Sequence, residues 1–182
     1  MIDNIKTGDI LFLSGKTWLA EQIKKSQLDK GNEFYYLNHC GIFVWINGEL
    51  CVAEEDYPGQ FKINRFEVEY LGEDVYHGQI LSDKEIDKDK LFCELLDQQS
   101  EERLTNYGYL DILAFKVNSL WFKWTGKEVW IGRKKNKKGR YTCSQRTAKY
   151  LQDYWRVCVE KNYLEYSPAD IADDTKIFIT KI

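Results

Sequence analysis

The chain is short of proline and glycine, with 2 and 12 in 182 residues, and 43% of its residues are hydrophobic. That balance excludes a low-complexity or disordered polypeptide and leaves enough apolar side chain for a core. A broad excess of basic charge is also missing, since 26 Lys+Arg stand against 29 Asp+Glu for a net −3. Duplex nucleic acid is therefore not expected as a main partner. No apolar run approaches the roughly 18 residues of a membrane helix. The opening Met1-Ile2-Asp3-Asn4-Ile5-Lys6 lacks the basic-then-apolar order of a signal peptide, so a soluble, cytoplasmic protein is expected. Five cysteines, at 40, 51, 93, 143 and 158, include no C-x-x-C pair. Their odd number and wide spacing point to neither a zinc site nor a disulfide scaffold, and free thiols in a reducing compartment fit better. No metal or organic cofactor is implied. With no repeat, Pro-rich linker or composition break, residues 1–182 are expected to form one domain.

What is present is aromatic side chain, 15% of the residues, and a clear alternation of elements. Ile10 to Leu13 follows the turn-like Thr7-Gly8-Asp9 as a short buried strand, and Trp18, Leu19 and Ile23 share one face of a helix to about Gln27. Residues 28–38 form a loop. Further on, a strand is expected within residues 61–71 and another over 74–81. A long amphipathic helix over 83–106 places Leu91, Leu95, Leu96 and Leu104 on its buried stripe. An aromatic, mostly helical stretch spans 107–124, and a helix over 144–159 repeats Ala148, Leu151, Trp155 and Cys158 at helical spacing. Ser167-Pro168 caps and opens a short helix, and Ile177 to Ile179 forms a closing strand.

The strongest local pattern is Asn47-Gly48 between two apolar runs, the signature of a type I′ hairpin. Counting outward pairs Ile46 with Glu49 and, six steps on, Cys40 with Glu55. Opposed residues share a face and alternate residues return to it, so His39, Gly41 and Glu54 lie on one side while Cys40 and Glu55 point the other way.

Chemistry concentrates at Tyr141-Thr142-Cys143-Ser144-Gln145, where a cysteine sits between a turn and a helix. A helix N-terminus lowers a thiol's pKa and offers N–H groups to an oxyanion. Such a nucleophile requires a base and a group that orients the base. Of two histidines, His39 has Glu54 on its face; His77, between Tyr76 and Gly78, shows no such partner. Cys40, Cys51, Cys93 and Cys158 are expected to be inert buried thiols.

At these residues the chain resembles the circularly permuted papain-like enzymes of the NlpC superfamily, particularly the YiiX-like branch. The matching motifs are Gly8-Asp9-Ile10-Leu11, His39-Cys40-Gly41-Ile42, Val52-Ala53-Glu54, Tyr107-Gly108-Tyr109 and Tyr141-Thr142-Cys143-Ser144. They cover most of the chain and run His before Cys, the permuted order. The resemblance implies an α+β fold in which a small antiparallel sheet carrying His39 and Glu54 packs against helices, one of them beginning at Cys143. It also implies a Cys-His-acid site: Cys143 as nucleophile, His39 as general base, Glu54 orienting the imidazole. Two departures stand out. Gln145-Arg146 replaces the Glu-Leu that follows Cys-Ser in relatives, and Glu55 replaces a small residue after the acid. The latter keeps Glu55 and Asp56 as rival third members should the hairpin register slip. Tyr141 either lines the site or packs, and Tyr107 and Tyr109 are either substrate-binding or ordinary core aromatics.

The reaction this implies is hydrolysis of a peptide or cell-wall-type amide through an acyl-enzyme. Two alternatives remain: a lipid-directed acyltransferase or phospholipase of the lecithin:retinol acyltransferase-like type, and a non-catalytic binding module. Six positive residues between Arg133 and Arg140 form a basic loop over 132–140. It is either a solvated loop or a point of attraction for an anionic substrate or peripheral lipid contact.

Overall fold

A computed structural model describes residues 2–56, 60–70, 72–82, 84, 86–100, 109–127 and 141–182. The hairpin forms as the Asn-Gly signature requires. Strand β2 (His39–Ile46) and strand β3 (Glu49–Asp56) pair antiparallel from Ile46↔Glu49 to Ile42↔Ala53. Asn47 and Gly48 both take positive φ, 51° and 81°. Around this hairpin the sheet grows by antiparallel pairing to six strands in the order β4-β3-β2-β1-β5-β6. The remaining strands are β1 (Ile10–Leu13), β4 (Gln60–Arg65), β5 (Val75–Ile80) and β6 (Ile177–Lys181).

Side-chain alternation splits the core into two. One face presents Ile10, Phe12, Cys40, Ile42, Val44 and Ala53 to the helices α3 (Lys88–Ser100), α5 (Cys143–Tyr150) and α6 (Pro168–Ala172). The opposite face, with Leu11, Phe43, Leu50, Val52 and Val75, is covered by Ile5 and by the short helix α2 (Phe66–Glu69) with the following Tyr70. Helix α1 (Trp18–Asp29) packs on α4 (Tyr109–Thr125).

Several expected boundaries shift for identifiable reasons. The strand within 61–71 ends at Arg65, where the chain turns into α2. Helix α3 starts at Lys88 because Asp87 caps it, its Oδ1 accepting the Lys90 N–H at 2.9 Å. Leu91 and Leu95 are buried there, but Leu96 is exposed; Leu104 lies outside the described residues. The helix expected over 144–159 begins one residue earlier and passes through a π-helical turn at Leu151–Trp155, ending where Arg156 adopts a left-handed conformation. In α1 the buried residues are Ala20, Ser26 and Gln27, whereas Trp18 is 75% exposed. Gln27 takes the inner face because its side chain donates to the Tyr35 and Leu37 carbonyls and accepts from the Ala169 N–H.

Two glycines of the sequence motifs have steric reasons. Gly8 has a φ of 103°, and a Cβ there would meet the Trp155 ring at 2.2 Å. At Gly41 a Cβ would fall 2.8 Å from Val52 and 3.0 Å from the Glu54 Cβ, so only glycine lets β3 approach β2 at the point where Glu54 is presented.

Candidate active site

Cys143 is the first residue of α5, and the helix start is fixed by a capping box. The Thr142 hydroxyl accepts from the Gln145 N–H at 3.3 Å, and the Gln145 side chain accepts from the Thr142 N–H at 3.1 Å. Gln145 then donates to the Leu164 carbonyl at 2.9 Å. Gln145 is thus engaged on both sides in holding the turn that carries Cys143 in place.

β2 delivers His39 to this turn. Its Nε2 lies 2.5 Å from Glu54 Oε2, which leaves Nδ1 for the Cys143 sulfur, with which the ring is in hydrogen-bond contact. Burial by itself would discharge the imidazole. The Cys143 sulfur and the Glu54 carboxylate outweigh it and hold the His39 pKa well above the ordinary 6.5. Burial likewise opposes a charged Glu54, and the His39 ring, with hydrogen bonds from Tyr70 and Asn64, keeps that carboxyl below its usual range. The Tyr70 hydroxyl and Asn64 Nδ2, the latter at 3.1 Å, both donate to Oε1. Every oxygen of Glu54 is therefore aimed, and the imidazole is aimed by it. The arrangement suits a thiolate–imidazolium pair at a helix N-terminus.

Asn64 and Tyr70 were not anticipated from sequence. Asn64 could have been found from the second hairpin: it pairs with Val52, which puts it on the Glu54 face of β3. Tyr70 arrives through α2, which no local pattern announced.

The rivals for the acid position are engaged with other partners. Asp56 pairs with Lys62 at 3.0 Å. Glu55, fully buried on the opposite side of the sheet, receives Arg146 Nε at 3.3 Å. Glu55 and Arg146 thus meet each other in one buried ion pair. Tyr141 is buried with its ring 3.9 Å from the Arg146 guanidinium and beside Tyr163, and is not itself among the residues that line the cleft at Cys143. Tyr109 is the first residue of α4; Tyr107 and the basic segment 132–140 lie outside the described residues.

The second histidine corrects the sequence reading. His77 Nε2 is 2.8 Å from Asp9 Oδ2, both side chains buried. Pairing of Leu11 with His77 across β1 and β5 brings Asp9 onto the same face from 68 residues away, a distance at which sequence alone carries no sign of the contact. Among the other thiols, Cys40, Cys51 and Cys158 are buried as expected, but Cys93 is exposed. The Cys40 thiol contacts the Cys143 sulfur; burial and this contact together push its pKa well up, so Cys40 is a protonated donor to its neighbour.

Cys143 opens onto a cleft lined by Gln22, Ile23 and Ser26 of α1 and by Lys30 just after it, by Lys116 of α4, and by Asn38, Ser144 and Ser167. Among the described residues, no acidic side chain lines it.

Fold and site together define a mixed α+β protein whose six-stranded antiparallel sheet presents a histidine–glutamate pair to a cysteine at a helix N-terminus. The same fold occurs in the crystal structure of metalloprotein YiiX (DUF1105) from Escherichia coli O157:H7, with a TM-score of 0.51 over 97% of this chain and 96% of that one, at 15% identity. No family model and no curated protein matches the chain. As to a metal, no group of three or more His, Cys, Asp or Glu side chains among the described residues converges on a common point suited to an ion. The Glu54 oxygens are already taken by Tyr70, Asn64 and His39. The described residues do not fit a metal centre.

Proposed function

We propose that the chain is a cysteine hydrolase of the permuted papain-like, NlpC-type fold, cleaving a peptide or cell-wall-type amide through an acyl-enzyme on Cys143. The observation that supports it is the convergence of Cys143, His39 and Glu54, three residues drawn from α5, β2 and β3 into one hydrogen-bonded chain. In this reading the Cys143 thiolate attacks the carbonyl carbon, and first-turn N–H groups of α5 receive the developing oxyanion. The imidazolium of His39 gives its proton to the leaving amine. The neutral ring then takes a proton from water as the water attacks the thioester, and returns it to sulfur as the acid product leaves. Glu54 remains ionised throughout and keeps the ring in register.

Alkylation rates separate this reading from mere accessibility. Cys93 is the exposed thiol and Cys143 is only 3% exposed, so access alone predicts that iodoacetamide labels Cys93 first. The thiolate reading predicts that Cys143 labels faster at neutral pH, by about tenfold or more, as read by peptide mass spectrometry. If Cys93 leads, the catalytic assignment fails.

A further inference from the structure

Helix α4 is inside out. Its described buried positions include Asn118 and Ser119 together with Ala114, while Leu113, Val117, Leu120, Trp121 and Trp124 are between 40% and 84% exposed. These five recur at i, i+4, i+7, i+8 and i+11, a single stripe along the helix. Trp121 and Trp124 stand edge to face at 6.4 Å. Helix α1 extends the surface: Lys116 donates to Gln22 at 3.2 Å and Lys123 to Asp29 at 3.0 Å. Trp18, on the same face of α1 as Gln22 and Asp29, stands 75% exposed at that seam.

Charge says what this surface meets. The chain as a whole carries −3, yet residues 16–30 and 109–127 hold seven lysines against three acids. The excess sits at the helix ends, in Lys16, Lys30 and Lys127. An apolar stripe with tryptophans at its margin, bordered by such lysines, has the composition of an element that lies in the headgroup region of an anionic bilayer, the apolar side down. A second protein copy, itself cationic at this place, would meet its own charge there. No helix among the described residues is long and apolar enough to cross a membrane, so the contact is peripheral.

From this we infer that the α1–α4 surface docks on anionic lipid through Leu113, Val117, Leu120, Trp121 and Trp124, with the lysines of the pair facing the headgroups. Gln22 and Lys116 belong both to this surface and to the wall of the Cys143 cleft, so docking sets the cleft mouth at the membrane boundary. Binding does not depend on the proposed reaction, and Cys143→Ala protein is expected to dock as well as wild type.

The full chain is mixed with vesicles of phosphatidylcholine alone, or of phosphatidylcholine and phosphatidylglycerol in equal parts. Expected is binding to the anionic vesicles alone, weakened by salt, with a blue shift of tryptophan emission and quenching by lipids brominated in their acyl chains. The double substitution Leu120→Gln/Trp124→Gln is expected to weaken binding by about tenfold or more, whereas Val68→Gln, at an equally exposed apolar residue on α2, leaves it unchanged. The quenching measurement needs no substitution and stands even if the double variant folds poorly. Absence of binding by the wild type, binding indifferent to lipid charge, or a dimer in sedimentation that the double variant dissolves without any vesicle binding would each overturn the inference.

Discussion

His39–Glu54 and His77–Asp9 are the same chemical pair built twice in one sheet, at 2.5 and 2.8 Å. Both histidines use Nε2, and both carboxylates are buried. They differ in what lies beyond the ring and behind the acid. Behind Glu54 stand Tyr70 and Asn64, side chains that orient it; beyond His39 lies the Cys143 sulfur at a helix start that opens on a cleft. Behind Asp9 stand backbone groups, the Lys6 and Ile80 N–H, so this acid ties a turn to β5. Beyond His77 lies the Phe43 ring, edge to face at 6.1 Å. A histidine–carboxylate pair therefore does not identify a site. A sulfur beyond the ring and a cleft beside it set the first pair apart.

The largest effects come from removing each histidine in turn. His39→Ala is expected to lower the alkylation rate of Cys143 at neutral pH by roughly 10²-fold while leaving the fold intact, since Glu54 keeps two donors. His77→Ala is expected to do the reverse. It leaves the buried Asp9 with the Lys6 and Ile80 N–H as its remaining donors, a loss that costs about 1–3 kcal/mol, and leaves the alkylation rate of the folded protein untouched. Thermal melts and stopped alkylation on the two variants decide it. Two variants that behaved alike would erase the distinction drawn between the pairs.

The geometry of the fold was legible where the pattern is local. Asn47-Gly48 announces both the hairpin and its register, and from that register the meeting of His39 with Glu54 follows by counting. Ser167 announces its helix by side-chain chemistry alone. What was illegible depends on contacts distant in sequence. The His77–Asp9 pair spans 68 residues and the Glu55–Arg146 pair 91, and each joins elements whose adjacency only the finished sheet order decides. Exposure of Trp18 belongs with these: a tryptophan at helical spacing reads as core, and here the core position is filled by Gln27, whose three hydrogen bonds to backbone groups satisfy it inside.

The ion pair at His39 has a sign that pH can test. The His39 pKa is raised, so its contribution to stability is fully present below about 6.5 and is lost as pH rises through the elevated folded value. The Glu54 pKa is lowered, so its contribution is fully present above about 4.5 and is lost as pH falls through the depressed value. Glu54→Gln is expected to lower the melting temperature most between pH 4.5 and 6.5, and less on either side. The same variant should shift the alkylation profile of Cys143 toward lower activity at neutral pH, because the imidazolium loses its carboxylate. A melting difference that stayed the same from well below pH 4.5 to well above pH 6.5 would show that the pair is not ionised in the folded protein.

The smallest expected effect concerns a residue the histidine comparison leaves out. Cys40 follows His39 in β2 but points to the other face of the sheet, where its thiol donates to the Cys143 sulfur. The His77–Asp9 pair has no counterpart to it. A neutral donor stabilises a thiolate less than an imidazolium does, because only one of the two partners is charged. Cys40→Ala removes that donor and leaves His39 and Glu54 in place. The midpoint of the pH–alkylation profile of Cys143 should therefore rise by a fraction of a unit, with the plateau rate at high pH unchanged, since once the thiolate is formed its reactivity rests on the sulfur itself. A plateau that fell along with the midpoint would mean that Cys40 instead holds Cys143 in position, and that the helix start depends on packing from the sheet as much as on the Thr142 cap.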